Sequence, residues 1–179
     1  MHYLDCPACR SQERLYAHNQ VRKWYERFTR TAGGQYHTEP RLDDREDHSR
    51  RGDSQLFLPA PAEQIFIDVQ IINSLSPAHI SGHASCSSTV LKRAESTKVR
   101  KYRASAEAVN ATFVPVIMTA QCDIGQQASL LLTKLESKCE EAQPDSKLSL
   151  SLTLQRALAR AQLWAAARCF NNRFLHGRH

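Results

Sequence analysis

The chain has 179 residues, enough for one sizeable core and too few for two comfortable domains. Lys and Arg number 24 against 18 Asp and Glu, a formal charge of +6 that favours an acidic partner but is also common on ordinary solvated surfaces. Six cysteines, at 6, 9, 86, 122, 139 and 169, lack the even spacing of a small secreted disulfide scaffold, and the start MHYLDCPACR lacks the apolar centre of a signal peptide. No run approaches the roughly 20 apolar residues of a membrane helix, so a reducing, intracellular setting without membrane is expected.

In chain order, Cys6-Pro-Ala-Cys9 is half of a zinc site that usually takes four ligands, and His2 and His18 are the histidines nearest to complete it. Unligated thiols are the competing reading. From Arg14 to Arg30, Leu15, Val21, Trp24, Tyr25 and Phe28 recur mostly at three- and four-residue steps, which predicts a helix with one buried face, ended by Gly33-Gly34. Residues 41–53 are almost entirely polar and form a solvated connection. SQLFL (54–58) and QIFIDVQII (64–72) predict two strands joined by a proline-bearing hairpin turn, and 73–88 reads as a loop carrying His79 and His83. A basic helix follows from about Ser88 to Val109. TFVPVIM (112–118) predicts a third strand, against which Pro115 counts because it cannot donate to a ladder. Residues 126–140 and 148–170 predict two more helices, the last with Leu150, Leu154, Leu158, Ala161 and Trp164 on one side. The order implies a mixed α/β fold in three segments: 1–36, a core over 37–140, and a basic amphipathic tail over 141–179.

The run IFIDVQI (65–71) carries an acid and an amide inside an apolar strand. Successive side chains of a strand alternate faces, so Asp68 and Gln70 share one face while Ile65, Ile67, Val69 and Ile71 line the other. A hairpin turning at 59–63 brings Asp53, just before the first strand, close to Asp68 near the end of the second. Two carboxylates brought together resist ionising unless a cation neutralises them, and Mg²⁺ suits such a site because it needs only one or two carboxylates and keeps its waters. The basic helix offers Lys92, Arg93, Lys98, Arg100, Lys101 and Arg103 against the single acid Glu95 over residues 90–103, with Lys98 and Tyr102 on one side. Such a row either holds DNA phosphates or merely solvates a helix face.

Asp53, fourteen intervening residues, Asp68-Val69-Gln70 and then Lys98-Val-Arg-Lys101-Tyr102 resemble the restriction-enzyme-like endonuclease domain of site-specific non-LTR retrotransposons, a branch of the PD-(D/E)XK nuclease superfamily. Cys6-x-x-Cys9, His18-Asn19 and Glu39-Pro40 precede the first acid in the order such domains show, and TFVPVIM with Gly125 resembles the segment that follows. The likeness covers about residues 6–140. Two positions depart from it: Arg51-Gly52-Asp53 has Gly where the family has Pro, and Gln70 stands where the superfamily carries its catalytic lysine. The resemblance implies a small mixed sheet flanked by helices. It also implies Asp53 and Asp68 as metal ligands with Glu39 as an outer carboxylate, Gln70 orienting water, and Lys98 meeting the charge on phosphorus. Lys92, Arg93, Arg100, Lys101, Tyr102 and Arg103 would face DNA, Mg²⁺ would be the cofactor, and Cys6, Cys9 and His18 would be candidate zinc ligands.

It further implies a piece or degenerate copy of a larger retroelement polyprotein, associated with a reverse transcriptase and RNA and acting in the nucleus on chromosomal DNA. Two other readings stand beside it: a nuclease-like nucleic-acid-binding remnant without catalysis, motivated by Gln70 and Gly52, and a structural or protein-interaction domain, motivated by the amphipathic C-terminal helix. Arg156, Arg160 and Arg168 on that helix either join a DNA-facing surface or decorate a structural element.

Overall fold

The computed structural model describes residues 12–40, 52–73, 87–144, 149–150, 152–160 and 163. Helix α1 spans Gln12–Thr31, and strands β1, β2 and β3 span Gln35–Thr38, Ser54–Leu58 and Glu63–Ile72. Helix α2 is Ser87–Glu107, strand β4 Thr112–Thr119 and helix α3 Gln126–Ala142; residues 152–160 are also helical. The Cys6–Cys9 pair, the connection 41–51, His79, His83, Cys86, Ala161, Trp164, Arg168 and Cys169 lie outside the described residues.

The four strands form one sheet in the order β1-β2-β3-β4. The pairs β1–β2 and β2–β3 are antiparallel, and β3–β4 is parallel. A parallel return cannot be made by a tight turn, and α2 supplies the crossover. Strand β1 escapes sequence pattern because QYHT offers one apolar residue, Tyr36, which is the only one of the four to be buried. Pro115 is accommodated because β4 is the sheet's outer strand in this order, pairing with β3 alone, and an edge leaves one side of the backbone without ladder bonds to lose.

Helix α1 ends where expected, and the cause is visible. Gly33 adopts φ +76°, its N–H bonds the Arg30 carbonyl at 3.0 Å, and the Gly34 N–H bonds the Thr29 carbonyl at 2.8 Å, which together close the last turn. Gly34 is required for a second reason: a Cβ there would lie 2.5 Å from the Phe57 carbonyl oxygen.

One face of the sheet presents Leu56, Ile65, Ile67, Val69, Val116 and Met118 to a core that takes in Tyr25 and Phe28 of α1, Leu132 and Leu135 of α3, and Leu150, Leu154 and Leu158. The apolar stripe of the C-terminal segment thus completes the core, while Arg156 and Arg160 are exposed. The opposite face is covered by α2 in two patches, Phe66 with Tyr102, Ala106 and Phe113, and Ile72 with Val90, Leu91 and Ile117. Mixed α/β architecture with helices on both faces of a mixed sheet is the result.

Candidate functional site

The strand's period of two places Phe66, Asp68, Gln70 and Ile72 on the α2 face and Ile65, Ile67 and Val69 against the other core. Phe66 meets Tyr102 and Ala106, and Ile72 meets Val90 and Leu91, so α2 runs antiparallel to β3. Between those two apolar anchors the strand offers Asp68 and the helix offers Lys98, one turn from Tyr102. They meet: Lys98 Nζ lies 2.6 Å from Asp68 Oδ2. Asp68 is 7% exposed and the Lys98 side chain 25%. Burial pushes the Asp68 carboxyl above its ordinary range; Lys98 opposes the shift, and the neighbouring charge of Asp53 adds to it.

Asp53 reaches the same point from the start of β2. Ser54 pairs with Ile67, so β3 continues from Asp68 onward beyond the end of its antiparallel neighbour. Asp53 closes that open end. Its N–H bonds the Ile67 carbonyl at 3.0 Å and its Oδ2 accepts the Val69 N–H at 2.6 Å, clamping it to both residues that flank Asp68. The same Oδ2 accepts a hydrogen bond from His18 Nε2 of α1 at 2.9 Å. Burial alone would raise the Asp53 carboxyl, but the His18 bond and charge, with the Val69 N–H, hold it below the ordinary value.

Gln70 is half-buried on the Asp68 face, two positions further along. Glu39 is backbone-bonded to the Asp53 carbonyl at 3.0 Å, but its side chain is 65% exposed and lies 4.0 Å from Arg22. Lys92, Arg93, Arg100, Lys101 and Arg103 are exposed on α2. Tyr102, expected among the DNA-facing residues, is instead 4% exposed and tilted against Phe113 with ring centroids 5.1 Å apart, because the helix face that carries Lys98 inward carries Tyr102 with it. Its ring takes the Lys101 ammonium at 4.7 Å. Of the candidate zinc set only His18 is described, and its ring is spent on Asp53 and, through Nδ1 at 3.4 Å, on Asn19 Oδ1.

Two roles were illegible in the sequence. His18 lies 35 residues from Asp53, and no local pattern links them. Glu95, the one acid amid the basic run, is 7% exposed because it turns inward and accepts the Gln127 N–H at 2.9 Å, capping α3 from another helix. The outer face of α2 is correspondingly the more basic.

Among the described residues no group of three or more His, Cys, Asp and Glu side chains comes together as a metal cage. A pair of acids is instead the donor set of a hard divalent ion that keeps its waters. Asp53 and Asp68 supply such a pair: the Asp53 charge makes Asp68 harder to ionise, a cost that a cation would relieve. No helix among the described residues is long and apolar enough to cross a membrane. No protein-family model matches the chain, and no curated protein does.

Proposed function

We propose that the chain is a Mg²⁺-dependent DNA endonuclease domain of restriction-endonuclease-like type, related to the endonucleases of site-specific non-LTR retrotransposons. The observation that supports this reading most is the clamp of Asp53 onto both neighbours of Asp68, with Lys98 reaching the same carboxylate from the crossover helix. The order α1-β1-β2-β3-α2-β4, a small mixed sheet flanked by helices, agrees with such a core.

Asp53 and Asp68 would hold the ion, which when bound supplies charge neutralisation at the phosphodiester and a more acidic water. Lys98 would take over the role of the superfamily lysine that Gln70 replaces. Its ammonium is paired with Asp68 and would meet negative charge developing on a phosphoryl oxygen. Gln70, half-buried and uncharged, is left to orient water. The exposed Lys92, Arg93, Arg100, Lys101 and Arg103 would grip the phosphate backbone without reading sequence.

Supercoiled plasmid incubated with the protein and Mg²⁺ tests the reading. Nicked circles are expected, and both Asp53→Asn and Asp68→Asn should abolish them; nicking that persists in Asp68→Asn, or never occurs, removes the catalytic claim. A second reading, a nucleic-acid-binding remnant, is favoured by the Asp68–Lys98 ion pair itself, in which a lysine neutralises one acid without any metal ion. Under that reading the protein retains DNA but does not cut it, and Gln70→Lys restores cleavage.

A further inference from the structure

We propose that His18 is a positioning residue for the proposed metal ligand Asp53, fixing its carboxylate so that Oδ1 is left free to face a divalent cation. The inference rests on the metal-dependent reading above. A carboxylate oxygen has two lone pairs in the plane of the group, and on Oδ2 of Asp53 both are taken, by the Val69 N–H at 2.6 Å and by His18 Nε2 at 2.9 Å. The two donors come from different elements, β3 and α1, so they stop the carboxylate from rotating about its last bond. Oδ1 is the carboxylate oxygen that neither of these two bonds uses.

His18 is itself held. It sits on α1 between Ala17, which is 6% exposed, and Val21, which is 1% exposed, both in the core against the sheet. The His18 side chain is 22% exposed, and its far nitrogen, Nδ1, lies 3.4 Å from Asn19 Oδ1. With a carboxylate facing Nε2, that nitrogen carries a proton and donates. The ring therefore acts as a fixed donor to an acid ligand, much as metal-bound groups are oriented elsewhere by hydrogen bonds from behind, where losing the supporting group typically costs about 10- to 100-fold in affinity. Arg22, one turn further along α1, adds positive charge behind the same carboxylate.

Calorimetric titration of the full chain with Mg²⁺, after chelation and dialysis, tests the inference without any turnover. Wild type should bind, and Asp53→Asn should not. His18→Ala should weaken binding by about 10-fold or more, with His18→Gln, which retains a donor, recovering part of the loss. In nicking assays His18→Ala should need correspondingly more Mg²⁺ yet approach the wild-type rate at saturation. Wild-type binding that His18→Ala leaves unchanged overturns the positioning role while leaving the two acids as ligands. Absence of Mg²⁺ binding by wild type overturns the metal reading and this inference with it. If both His18 variants fail to give a cooperative thermal melt, His18 serves folding, and the inference is likewise overturned.

Discussion

Asp68 is a carboxylate whose ionised form is held at a cost: burial and the Asp53 charge raise its titration, and Lys98 only partly offsets them. For an acid raised on folding, stability is greatest below its unfolded value and declines as pH rises through the folded one. Asp68→Asn in chelator is therefore expected to melt at or above the wild-type temperature; a marked drop would mean that the aspartate is a structural group. Asp53 behaves oppositely to Asp68, and His18 behaves in the same direction as Asp68. Asp53 is lowered from 3.8, so its contribution is present above that value and is lost as pH falls through the folded one. His18 is raised from 6.5: burial alone would lower it, and the Asp53 hydrogen bond and charge outweigh burial. Its contribution is complete below 6.5 and disappears as pH rises through the folded value. Urea titrations of metal-free protein across pH should show this loss above pH 6.5 in wild type and not in His18→Gln; an unchanged decline in the variant refutes the pairing.

At the scale of elements, α2 does three things with two sides. Leu91, Tyr102 and Ala106 seat it on the sheet, Lys98 reaches Asp68, and the outer side carries exposed basic residues. Glu95 joins α2 to α3, whose first residues have Gly125 as N-cap with no side-chain cap of its own. Gly125 admits this because a Cβ there would stand 2.4 Å from Glu95 Oε1. Glu95→Ala should cost about 1–2 kcal/mol, the usual loss of an N-terminal cap, measured by denaturant unfolding. A loss under about 0.3 kcal/mol would show that water replaces the cap.

At the scale of the molecule, the described residues present a basic outer surface on α2, because Glu95 faces inward and Asp68 is paired. If that surface holds phosphates, DNA retention should fall steeply between low and moderate salt, and replacing Lys92, Arg93, Arg100, Lys101 and Arg103 one at a time should flatten the log–log salt slope by about one unit each. Filter binding or anisotropy at several salt concentrations reads this directly. A slope unchanged by the replacements would place any DNA contact elsewhere, with Arg156 and Arg160 the next exposed cations to neutralise. Leu150, Leu154 and Leu158 are spent on the core, so melting temperature should respond to them and DNA retention to the arginines.

Much of this was already legible in the amino-acid order. The α1 stop at Gly33-Gly34, the β2–β3 hairpin, the α2 and α3 spans and the shared face of Asp68 and Gln70 follow from backbone chemistry and from periods of 3.6 and 2, which act between near neighbours. Strand β1 was not legible, since a four-residue strand with one buried side chain has no period to detect. Nor was the fate of the i, i+4 pair Lys98 and Tyr102: spacing puts both on one side, but only packing against Phe66 and Phe113 decides that the ring is buried and the ammonium is delivered to Asp68. His18 on Asp53 and Glu95 on Gln127 belong entirely to tertiary structure. Both are single hydrogen bonds across more than thirty residues, made because burial leaves each carboxylate in need of a donor, and a requirement of that kind names the chemistry of the partner without naming its position in the chain.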